Sequence, residues 1–143
     1  MITVPAPRRA LLVLTLFYLV ALFLWLGEED SVAFVTALGI GLAVLLMAHA
    51  LVRQAGGRQL SHRRWLVTMA VSGLVTGISA SLATVTLMAV KVSIHGHPGA
   101  LDYPPEALIA VLTYLPGWAL AGALGGLGVG LIVSALARVP PCS

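Results

Sequence analysis

Four apolar stretches, each near the length needed to cross a bilayer, alternate along this chain with short polar segments whose charge changes sign from one connection to the next. The stretches cover residues 10–26, 31–52, 65–91 and 116–137. A membrane-spanning helix needs about 20 consecutive apolar residues, so the pattern predicts an all-α integral membrane protein of four transmembrane helices in one domain, residues 1–143. Between the third and fourth stretches, residues 105–137 run too long for one simple span. Pro104-Pro105 suits a helix start and Pro116 a break, which leaves two readings: a short interfacial helix over 105–115 before the last span, or one long helix kinked at Pro116.

The charges order these spans. Arg8, Arg9, Arg53, Arg58, Arg63, Arg64 and Arg138 flank one set of span ends, and Glu28, Glu29, Asp30, Asp102 and Glu106 flank the other. Cytoplasmic connections are enriched in Lys and Arg, so the expected topology is N-in/C-in, with both termini and residues 53–64 cytoplasmic in a bacterial inner membrane. Trp25 and Trp65 stand where aromatic rings favour the two interfaces, and Asp30 or Ser31 is placed to cap the second helix. Lys91, the one lysine, falls on the acidic side; its charge suits a helix C-terminus and its stem is expected to snorkel to the headgroups.

Composition changes the picture only by exclusion. Hydrophobic residues make up 59% of the chain and charged residues 9%, against about 25% charged in a soluble domain. The net charge of +3 is accounted for by arginines at inner span ends, and no basic, aromatic-interleaved module points to nucleic acid. A single cysteine, Cys142, cannot form an internal disulfide. The first stretch has the basic start and apolar core of a signal peptide but no small-residue cleavage pattern, and is expected to be a retained span.

Small residues recur on two helices. Gly122, Gly126, Gly130 and Ser134 repeat every fourth position in the last stretch, and Gly73, Gly77 and Ser81 in the third, a spacing that lets membrane helices approach backbone to backbone. The two helices are expected to pack together, with Gly125 and Gly128 leaving room for a helix of another subunit, the preferred occupant, or for a flat ligand such as a lipid or quinone. The many Ser and Thr hydroxyls of the third stretch are expected to bond to carbonyls four residues back or across a helix contact, rather than to mark an ion path.

The densest group of potential ligands is His95, His97, Asp102 and Glu106 on the acidic side. Two imidazoles and two carboxylates could hold a divalent cation such as zinc; the competing account is a loop whose histidines bond to carbonyls and whose acids complement a helix N-terminus. No other cofactor is predicted. His49, near the inner end of the second stretch, lacks a second imidazole at its depth for haem, and no Ser/His/Asp or Cys/His set shares one membrane face. No motif specific enough to name a family emerges. The expected function is therefore a non-enzymatic membrane subunit or accessory protein that packs, in the bilayer, against other membrane-protein subunits or a second copy through its glycine-rich hairpin. The alternative is a small transporter or metal-binding protein using the His/Asp/Glu loop, with an enzyme ranking behind both.

Overall fold

Regular structure follows the hydropathy pattern and departs from it at the span ends. The computed structural model describes residues 2–3, 7–27, 31–95 and 103–137. Their order is β1 (Ile2–Thr3), α1 (Arg8–Trp25), α2 (Val32–Ala55), β2 (Gln59–Leu60), α3 (His62–His95), α4 (Pro105–Thr113) and α5 (Leu115–Leu136). Four of these helices, α1, α2, α3 and α5, are long and apolar enough to cross a membrane.

Local chemistry explains the boundaries. Ser31 Oγ accepts from Phe34 N at 3.1 Å, so the hydroxyl caps α2; Asp30 lies outside the described residues. Helix α2 runs into Gly56-Gly57, where Gly57 takes φ +77°, a left-handed conformation open to glycine at no steric cost. That turn delivers the chain to β2, which pairs antiparallel with β1 through Ile2 with Leu60 and Thr3 with Gln59. The segment before α1 and the α2–α3 connection therefore meet at one end of the molecule, the Trp65 end.

Helix α3 is 34 residues long, about 51 Å at 1.5 Å per residue. It exceeds the stretch read from hydropathy by three residues at its start and four at its end. Polarity alone does not stop a helix: His62, Arg63 and Arg64 continue it at its start, and beyond Lys91 no glycine or proline comes before Gly96. Pro116, by contrast, breaks its helix. It has no N–H for the Leu112 carbonyl and its ring crowds that group, so α4 and α5 are two helices meeting at Tyr114, φ −83° and ψ 3°. The join stays tight, with Tyr114 N donating to Ala110 O at 3.2 Å and Trp118 N to Tyr114 O at 3.0 Å.

The helices form an open bundle about α3. Helix α5 makes the most extensive contact with it, α2 the next, and α4 a small one; α1 is attached mainly to α2. Two apolar clusters tie the ends. Trp25, Val35, Leu38, Met88 and Tyr103 form one, with Leu108 and Val111 of α4 packed against it. Trp65 centres the other, with Ala55, Leu60, Leu66, Met69 and Val133. Elsewhere large apolar side chains face outward, Phe23 with 76% of its surface exposed and Phe17 with 70%. A hydrocarbon solvent accepts such a surface, since only polar groups must be satisfied internally there.

Candidate functional site

Helix α5 presents glycine on two faces, and the two faces meet different surroundings. On the first, α5 runs antiparallel to α3 in a close register. A methyl group placed on Gly73 would collide with the Gly122 carbonyl oxygen and stand 2.9 Å from Gly126 Cα; one on Gly122 would collide with the Gly73 carbonyl oxygen and stand 2.9 Å from Gly77 N. The same construction on Gly77 meets the Trp118 carbonyl, and on Gly126 the Met69 carbonyl. Each of these oxygens thus lies where a glycine Cα–H points, a repeated arrangement in which Cα–H···O contacts contribute about 0.5–1 kcal/mol each. Any larger residue at these four positions displaces a backbone.

Gly130 continues this face toward the Trp65 end. A methyl there would sit 3.1 Å from Met69 Cβ and 3.3 Å from Leu66 Cδ2. Its carbonyl oxygen accepts from Trp65 Nε1 at 3.0 Å and from Ser134 Oγ at 2.7 Å, both side chains being buried. Trp65, expected as an interface ring, instead stitches α3 to α5. Ser81 also differs from expectation: its buried hydroxyl donates to Val111 O at 3.2 Å, joining α3 to α4 rather than to α5.

The second face carries Gly117, Gly125 and Gly128. A methyl on any of them would meet nothing within 4 Å. At 100° per residue Gly117 and Gly128 lie roughly opposite Gly122, Gly126 and Gly130, while Gly125 stands about 60° from Gly122 at the border of the two faces, and the exposed Ala121 falls between Gly128 and Gly125. Leu124 borders this strip and Ile132 continues it toward the Trp65 end, with 61% and 62% of their surfaces exposed. One edge of it opens on an apolar groove of about 400 Å³ between α2, α3 and α5, lined by Met47, Leu51, Ser72, Thr76, Gly125 and Val129 among others.

At the Trp25 end Lys91 does not reach outward. It is 3% exposed, its Nζ donates to Trp25 O at 3.2 Å, and the ammonium lies 4.8 Å from the centre of the Trp25 ring. Trp25 ends α1, where carbonyls have no partner further along the helix, so the lysine supplies a donor to a group that needs one and a cation to the ring face. The Trp25 indole is likewise inside, 2% exposed, and its Nε1 finds no acceptor among the described residues. The lysine is thus a clasp between α1 and α3.

Of the four candidate metal ligands, His97 and Asp102 lie outside the described residues, His95 is the last residue of α3, and Glu106 is exposed in the first turn of α4. Among the described residues no three His, Cys, Asp or Glu side chains come together. His49 Nδ1 lies 2.9 Å from Leu45 O; a carbonyl only accepts, so this nitrogen carries the proton. The hydroxyls of Thr76, Thr84 and Thr86 bond to carbonyls four residues back at 2.8 Å each, so α3 satisfies these groups within itself.

One close contact escaped the sequence reading. A methyl on Gly39 of α2 would collide with Thr84 Oγ1 and stand 2.8 Å from Thr84 N, which makes Gly39 the point where α2 reaches the α3 backbone. Val35, Gly39 and Ala43, at four-residue spacing and all buried, carried the signal. No protein-family model, curated protein or solved structure matches this chain.

Proposed function

We propose that this chain is a non-enzymatic subunit or accessory protein of the bacterial inner membrane, and that the open glycine face of α5 receives a transmembrane helix of a partner. The observation that carries the reading is the contrast between the two faces. Glycine inside a helix costs about 1 kcal/mol relative to alanine, and toward lipid it returns nothing. On the α3 side that cost is offset by backbone contact. Gly117, Gly125 and Gly128 have no such offset among the described residues. A strip of small residues bordered by Leu124 on one side and by the apolar groove on the other has the relief of a membrane-helix docking surface, with room for a second backbone beside larger side chains.

In this reading the Trp65 end is cytoplasmic, with Arg8, Arg9, Arg53, Arg58, Arg63, Arg64 and Arg138 on that side, and α4 lies at the outer side of the bilayer. The β1–β2 pair is consistent with this arrangement, because it joins the chain before α1 to the arginine-rich connection. Two measurements test it. In a Cys142→Ser background, a cysteine at Gly57 should resist a membrane-impermeant thiol reagent added to sealed cells, and one at Gly99 should react. Cysteine cross-linking from Gly125 should capture another membrane protein or a second copy, while cysteine at Gly126 should capture neither. Labelling at Gly57 would overturn the orientation, and equal capture from both glycines would overturn the docking face.

A further inference from the structure

We infer that the arginine-lined cleft at the start of α3 is a binding site for one anionic phospholipid, headgroup on Arg63 and Arg64 and an acyl chain in the groove between α2 and α3. Two cavities make up the site. The first, about 440 Å³, is lined by Leu60, Arg63, Arg64, Val67 and Thr68. The second, also about 440 Å³, runs along the α2–α3 seam past Met47, Leu51, Val71 and Val75 and shares Val67 and Thr68 with the first. A charged mouth thus adjoins a mainly apolar trough, whose polar residues are Gln54, Thr68 and Ser72, the division of polarity that a phospholipid has and a free phosphate lacks.

Charge complementarity favours an anion. Both arginines are exposed, the first turn of α3 holds no acid, and the sequence has no carboxylate anywhere from residue 31 to residue 101. The one carboxylate among the described residues, Glu106, begins α4, well away from the start of α3. Among the described residues, therefore, the pair has no nearby counter-charge. Basic pockets between membrane helices take anionic headgroups on this principle, and the guanidinium fork matches phosphate oxygens in pairs. The inference requires that α2 and α3 cross the membrane and is independent of the partner proposed for α5.

Native mass spectrometry of the full chain released from micelles tests it, with phosphatidylglycerol and phosphatidylcholine supplied at equal concentration. Wild type should retain one phosphatidylglycerol in preference to phosphatidylcholine. R63Q/R64Q should lower that retention by roughly twenty-five-fold, taking about a fivefold contribution from each surface arginine. R8Q/R9Q, which removes equal charge elsewhere, should leave it within about twofold of wild type. Val71→Trp, at an exposed position in the trough, should weaken retention with both arginines intact, and millimolar inorganic phosphate should not displace the lipid. Equal retention of the two lipids, equal loss in R8Q/R9Q, full retention in R63Q/R64Q, unchanged retention in Val71→Trp or displacement by phosphate would each overturn the site.

Discussion

The two glycine faces of α5 share a helix and a composition, and they differ in what a single added carbon would encounter. At Gly122 and Gly126 that carbon collides with α3 backbone; at Gly117, Gly125 and Gly128 it meets open space. The difference separates two uses of one residue type. The first face holds the chain together, and the second is available to something outside it. Spacing alone does not distinguish them, because a four-residue repeat fits an internal hairpin and an external docking strip equally well.

Breaking the inner face should give the largest effect. Gly126→Leu has to force Met69 and Gly73 away from α5, at a cost on the order of 3 kcal/mol, and thermal unfolding in detergent should register a correspondingly large fall in midpoint. Gly39→Leu should come close to it, through the backbone of Thr84, as read by the same assay. Their equivalence would show that backbone contact, rather than anything particular to α5, is what makes a glycine irreplaceable. Retention of the wild-type midpoint in both would remove the basis for distinguishing the faces.

A smaller loss sharpens the comparison by supplying a buried contact that is not glycine. Lys91→Met removes the donor to Trp25 O and the cation over its ring, together worth about 1–2 kcal/mol. Hydrogen exchange should speed up at the end of α1 and leave the α3–α5 contact unchanged. The smallest effect is expected at His95→Ala and His97→Ala, which should alter neither midpoint nor partner recovery. Metal analysis showing a bound equivalent in wild type, lost in both variants, would instead move the function to that loop.

The spans were legible because lipid-facing helices announce themselves by composition. Their ends were less so: His62, Arg63 and Arg64 look like a loop by polarity, yet nothing about them opposes helix. Pro116 marked the α4–α5 break and left open whether one helix or two resulted, since a proline can kink or terminate. The Gly73, Gly77, Gly122 and Gly126 contact was visible in the spacing. The same spacing around Gly39 is a weaker signal because only one of its members is glycine. Lys91 was read outward, as an isolated cation on a helix end would be. Its inward turn depends on the free carbonyl and ring of Trp25, 66 residues earlier in sequence, and no local pattern carries that information.

The central claim is that α5 has one face for its own fold and another for a partner, and it is tested most directly by measuring thermal midpoint and partner recovery together in Gly125→Leu. The midpoint should equal that of wild type or lie slightly above it, since the added side chain meets open space and leucine favours helix, and the co-purifying membrane protein or second copy should be lost. Full partner recovery at an unchanged midpoint would contradict it.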